Sequence, residues 1–196
     1  SLLGLDNVIV LMGDTFTEGD PVTVKNVSDF TSSELISAVK SMNQGVDYRG
    51  LKLRSHTDFC VGATIDLGKG INSEAKLAYR KNLAGADFFI SQPLYDLTYL
   101  EEFQKSYKYL SGEEFPKPLF LGLQVLHTDS LIFGELPANI KRDLEKGRDG
   151  TDITIELLHE FIANGITKIY LVPPILRGGL RDYVAAQKVV DASRKI

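Results

Sequence analysis

The stretch Asn7-Val8-Ile9-Val10-Leu11-Met12-Gly13-Asp14 decides how the chain is read. Its run of apolar residues, mostly β-branched or leucine, predicts a strand over Val8 to Met12 buried on both faces, as in a parallel sheet. The run stops at a glycine, which lets another backbone or a flat ligand approach closely. Asp14 then places a carboxylate just past the carboxyl end of the strand, where α/β folds gather their ligands. Phe88-Phe89-Ile90-Ser91-Gln92 repeats the design. An apolar strand ends in an amide that both donates and accepts hydrogen bonds. Asp14 and Gln92 are therefore expected to face one shared pocket.

Outward from these strands, hydrophobic periodicity alternates. A helix after Thr31 or Ser32 carries Leu35, Ile36, Val39 and Met42 on one face and ends at Gly45. A second strand, Phe59 to Ala63, leads through Asp66-Leu67-Gly68-Lys69-Gly70 into a helix capped by Asn72 or Ser73 and running to Leu83. Phe88 to Ser91 is the third strand. Leu97, Leu100, Phe103, Tyr107 and Leu110 then form an apolar helical stripe. Leu119 to Leu126 is the fourth strand, Ser130 to Phe133 a short helical turn, and Pro137 to Lys146 a helix. Asp152 caps another helix, Lys168 to Val172 is the fifth strand, and Leu180 to about Arg194 the last helix. The polar stretch from Asp14 to Phe30 is long for a strand-to-helix loop and reads as a lid or binding loop.

Strict β-α alternation predicts one domain, residues 1–196, built on a parallel sheet with right-handed crossovers. Two architectures fit. One is an open doubly wound sheet; the other is part of a (β/α)8 TIM barrel, whose full form takes roughly 250 residues. Five strands complete an open sheet but not a barrel, so element count alone favours the former. The start at Ser1, running almost at once into a strand, predicts a piece of a longer chain or a processed product.

Composition narrows function. A net charge of −4 argues against a general nucleic-acid binder, which carries a basic face. No apolar run approaches the ~20 residues that span a bilayer. The single cysteine, Cys60, sits in an apolar run, reads as a small core residue, and suits the cytoplasm. His56, His127 and His159 show no metal-ligand spacing, so no metal site is expected. Each strand-end residue has two readings. Asp14 is a site acid or a loop-solvated one; Gln92 meets a ligand or its own loop; Asp66 is a site acid or a turn residue. Gly68-Lys69-Gly70 lacks the spacing of a phosphate loop.

Two stretches carry a resemblance. Gly4 to Asp14 resembles the fourth barrel strand of the methylenetetrahydrofolate reductase family, which commonly ends Leu-Arg-Gly-Asp; here Met12 replaces the arginine. Ala84-Gly85-Ala86-Asp87-Phe88-Phe89-Ile90-Ser91-Gln92-Pro93-Leu94-Tyr95-Asp96 is similar to that family's sixth-strand motif, Ala-Gly-Ala-Asp-x-x-x-Thr-Gln-x-x-x-Asp. Ile169 to Pro174 with Arg177 is similar to an eighth-strand end.

The resemblance reverses the choice of architecture. It implies a TIM-barrel α/β fold present as roughly strands 4–8. The implied activity is reduction of 5,10-methylenetetrahydrofolate to 5-methyltetrahydrofolate by a flavin, FAD, with FMN or none as alternatives, in one-carbon metabolism and methionine biosynthesis. Asp14 is implied as the catalytic carboxylate, stabilising the iminium cation formed when the methylene ring opens. Gln92 and Arg177 are implied to bind substrate, the latter at its acidic tail. Met12, Gly13, Asp14, Glu74 and Lys81 are implied to meet the cofactor.

Family flavin contacts after the second strand of this chain are replaced by Thr64-Ile65-Asp66-Leu67-Gly68. The resemblance thus implies either an enzyme completed by another chain or as a homo-oligomer, or a non-catalytic pterin-binding partner that has lost flavin.

Overall fold

A computed structural model describes residues 4–13 and 29–195. Five parallel strands form its main sheet: β1 (Asn7–Val10), β2 (Cys60–Ile65), β3 (Phe88–Pro93), β4 (Leu119–Gln124) and β6 (Ile169–Val172). Between β4 and β6 lies the two-residue β5 (Ser130–Leu131), which pairs antiparallel with β7 (Ile175–Leu176). The helices are α1 (Ser32–Asn43), α2 (Ile71–Leu83), α3 (Thr98–Ser111), α4 (Ala138–Glu145), α5 (Gly150–Ala163) and α6 (Tyr183–Ser193).

Sheet order is β1-β2-β3-β4-β6, the order of the chain itself. A doubly wound sheet reverses direction at a switch point; this one does not. Each right-handed crossover steps one strand in the same direction and lays its helix on the same face. Burial agrees. Val61, Ala63, Ile65, Phe89, Leu121 and Leu123 alternate along their strands and pack with Ile36, Ala75, Ala78, Leu100, Phe103, Tyr107, Leu157 and Phe161 in one core cluster. The other face carries Ile9, Phe88, Phe120 and Tyr170, all at least partly exposed. The five units thus form a parallel α/β layer of the kind that makes up an arc of a barrel. Among the described residues, no helix is long and apolar enough to cross a membrane.

Several expectations are corrected. β1 is not buried on both faces: Val10 is buried, but Ile9, Leu11 and Met12 are 46, 59 and 73% exposed. Among the described residues β1 pairs only with β2, and helices cover one face. Ser130 to Phe133 holds no helical turn, because Ser130 and Leu131 pair with Leu176 and Ile175. The α5 cap is Asp149, accepting from Thr151 N at 2.7 Å, rather than Asp152. Glycine, not Asn72 or Ser73, precedes α2, and no side chain caps it. Leu35 and Leu110 are 38 and 40% exposed instead of facing the core. Cys60 is half-buried at the start of β2. The Thr31 cap of α1 is present, with a reciprocal bond from Glu34. Asp14 and the rest of residues 14–28, including most of the expected binding loop, lie outside the described residues.

The first half of the Ala84–Asp96 stretch is structural. Asp87 accepts from Val61 N at 2.7 Å and from Lys40 Nζ at 3.0 Å, tying α1 and β2 to the start of β3. Gly85 has φ +101°, and a Cβ there would lie 2.9 Å from Lys40 Cγ. The end of β3 departs from regular pairing. Its register with β4 shifts between Ile90 and Pro93, and proline has no N–H to give the ladder. Beside the break Gly122 N donates to Ser91 Oγ at 3.0 Å, and Tyr170 Oη donates to Ser91 O at 2.6 Å. Irregularities of this kind re-aim the next side chain, here Gln92.

Gly122 lies inside that junction. A Cβ there would sit 2.7 Å from Tyr170 Oη and 3.0 Å from the backbone nitrogen of Pro93. Gly122→Ala is expected to destabilise the fold by about 1–3 kcal/mol through overpacking, measured as a lowered midpoint in urea unfolding.

Candidate functional site

Parallel strands deliver their carboxyl ends to one edge of the sheet, and ligands of α/β folds bind there. A cleft of about 520 Å³ lies across the loops that follow β2, β3 and β4. Asp66, Gly68 and Lys69 come from the first loop, Gln92 to Asp96 with Tyr99 from the second, and Phe133, Gly134 and Glu135 from the third. A smaller cleft of about 340 Å³ runs between α4 and α5, where Arg148 is committed to ion pairs with Asp143 and Glu156.

Gln92 is the exposed residue in the last turn of β3. Among the described residues its side-chain amide has no protein hydrogen-bond partner. It therefore keeps a donor and an acceptor for a ligand. Tyr99, 40% exposed, and half-buried Phe133 add aromatic surface to the cleft. Asp96 faces inward to its own helix, accepting from Thr98 N at 2.8 Å and Thr98 Oγ1 at 2.7 Å. Asp66 accepts from Gly68 N at 3.1 Å and lies 3.3 Å from Lys69 Nζ, as a turn residue does. With Glu135, the cleft carries three carboxylates against one ammonium. This lining suits a flat, N–H-bearing ring better than a phosphate.

Glu74 and Lys81 are placed differently from cofactor ligands. Both are buried, 9 and 3% exposed. Glu74 Oε2 accepts from Asp66 N at 3.0 Å, and Lys81 Nζ donates to Thr64 O at 2.5 Å. Two charged side chains of α2 thereby satisfy the backbone where β2 ends and its loop begins. Neither lines the cleft. Each makes one hydrogen bond to backbone at the end of β2.

The remaining expected residues spread along the same edge. Met12 and Gly13 follow β1, two strands from β3, which is about 10 Å across a sheet. Arg177 is exposed in a short turn after β7. The β5–β7 pairing brings that turn beside the loop that follows β4. None of the three lines the cleft. His127 is a loop residue, its Nδ1 accepting from Asp129 N at 3.1 Å. Sequence reading missed Tyr99 and Phe133. Tyr99 lies off the apolar stripe of α3, which is the one signal that separated it from the core aromatics.

No protein-family model matches the chain, and no curated protein matches it. Among solved structures, the fold resembles that of an uncharacterized protein from Clostridium thermocellum that binds two copies of 5-methyl-5,6,7,8-tetrahydrofolic acid. The TM-score is 0.52 with 17% identity, over 70% of this chain and 53% of that one. The chain thus spans about half the length of that protein, and the likeness is one of fold.

Burial holds the Lys81 ammonium below its ordinary 10.5, and the Glu74 carboxylate offsets this in part. Between the lowered folded value and the unfolded one, the unfolded chain binds the extra proton, so stability rises with pH. Wild type is therefore expected to gain stability relative to Lys81→Met as pH climbs toward 10.5. Urea unfolding of both proteins along a pH series checks this; a difference flat in pH contradicts it.

Proposed function

We propose that the chain binds a reduced folate, with the pterin ring in the cleft beside Gln92. One observation carries the proposal: a carboxamide at the end of a buried strand with no partner among the described residues, in a cleft that Tyr99 and Phe133 also line. A pterin's hydrogen-bonding edge presents both N–H and C=O groups, which a carboxamide answers with its acceptor and its donor. Its flat face suits aromatic surface, at about 0.5–1.5 kcal/mol per good contact. The folate bound by the similarly folded Clostridium thermocellum protein supports the same ligand class.

Within this reading Asp14 supplies a carboxylate from the end of β1, and Arg177 meets the folate's acidic tail. Three further βα units, from this or another chain, pair with β1 and β6, each of which has one neighbour in the described sheet. The reading takes the flavin-free form, a pterin-binding unit of one-carbon metabolism, because Glu74 and Lys81 are buried and do not line the cleft. Flavin-dependent reduction of 5,10-methylenetetrahydrofolate is the second reading. The in-order strand-end motifs at Gly4–Asp14 and Ala84–Asp96 favour it.

Calorimetric titration with 5-methyl-5,6,7,8-tetrahydrofolic acid and, separately, with FAD tests both. Saturable folate binding is expected with Kd of roughly 1–100 μM, weakened about tenfold by Gln92→Ala. FAD is expected to give no saturable heat. A folded protein that ignores folate overturns the proposal; a yellow protein that titrates with FAD selects the reductase.

A further inference from the structure

Gln124 closes β4 and is fully buried, 0% exposed, yet it does not line the cleft. Its Oε1 accepts from Tyr95 Oη at 2.8 Å and from Phe133 N at 2.9 Å. Its Nε2 donates to Leu131 O at 2.6 Å. One side chain thus joins the loop after β3, through Tyr95, to two backbone groups of the loop after β4. Leu131 is in turn paired with Ile175, so the tie extends to the loop after β6 that carries Arg177. Burial pushes the Tyr95 phenol well above its usual range, so it stays a donor.

We infer that Gln124 is a positioning residue for the cleft: its carboxamide fixes the 131–135 loop, and with it the Phe133 and Glu135 wall of the cleft that Gln92 also lines. The chemistry requires an amide. The loop offers one N–H and one carbonyl to the same side chain, and the phenol offers a second donor. An acceptor with two lone pairs and an adjacent N–H₂ answers all three. A carboxylate answers the two donors and repels the carbonyl; an apolar side chain answers none. Asparagine has the right groups one methylene short. Phe133 has no polar side-chain atom and Glu135 makes no side-chain hydrogen bond among the described residues, so the wall's place depends on its backbone. The effect on ligand affinity rests on the folate reading above; the hold on the loop does not.

Hydrogen–deuterium exchange combined with titration of 5-methyl-5,6,7,8-tetrahydrofolic acid tests the inference on wild type, Gln124→Leu and Tyr95→Phe. Gln124→Leu is expected to speed exchange at residues 129–136, leave β2 and β3 as protected as in wild type, and weaken folate binding at least about tenfold. Tyr95→Phe spares both bonds to the loop and is expected to leave exchange at 129–136 as in wild type. A merely structural role would instead raise exchange throughout and leave the affinity of the folded fraction unchanged. Gln124→Leu with wild-type exchange at 129–136, or with faster exchange there but wild-type affinity, overturns the inference. Should Gln124→Leu fail to fold, Gln124→Asn keeps the amide but sets it one methylene short of the loop; wild-type exchange at 129–136 in that variant is the overturning result. If wild type itself binds no folate, the proposed function falls, and exchange at 129–136 still decides whether Gln124 holds the loop.

Discussion

Parallel pairing is the constraint on which the rest of this structure depends. Parallel neighbours cannot be joined by a tight turn, so each needs a crossover, and the crossover has a preferred hand. Here every crossover moves to the adjacent strand in the same direction. The helices therefore share one face, and their apolar stripes merge with Val61, Ala63, Ile65, Phe89, Leu121 and Leu123 into one core. The same rule places five strand ends side by side. A site on that edge costs the fold little, because its residues lie beyond the packed layer. On the opposite sheet face Phe88 and Phe120 meet edge-to-face at 5.9 Å and Tyr170 lies against Gly122.

The loops at the carboxyl edge are held by buried polar side chains that reach them from regular elements. Glu74 and Lys81 extend from α2 to the end of β2. Ser91 Oγ accepts from Gly122 N where the β3–β4 ladder is interrupted. Gln124 grips the loops after β3 and β4. Each case answers the same need, because a backbone N–H or C=O leaving a strand under cover must find a partner. The described residues contain no buried side-chain polar atom without one. The cleft is thus walled by loops whose backbones are pinned, while Gln92, aimed by the irregularity at Ser91–Pro93, keeps its hydrogen-bonding capacity. Such preorganisation suits recognition of a rigid, flat ligand, since little ordering remains to be done on binding.

Sequence by itself determined the alternation of strands and helices, the positions of all five main strands to within a few residues, and the prominence of Gln92 at a strand end. These rest on local signals: apolar runs, a 3.6-residue period, glycine and proline stops. Of the sequence's two readings for Asp66, the turn is the one that the contacts with Gly68 N and Lys69 Nζ match. Only the tertiary structure decided the order of strands in the sheet, because pairing partners are chosen over long chain separations that periodicity does not encode. Only it decided that Ile9, Leu11 and Met12 are exposed, since an apolar run does not reveal how many of its faces are covered. And only it turned Glu74, Lys81 and Gln124 inward to the backbone. A charged or amide side chain near a strand end reads the same in sequence whether it meets a ligand or an orphan peptide group. The difference lies in where the neighbouring strands and loops leave their unpaired donors and acceptors.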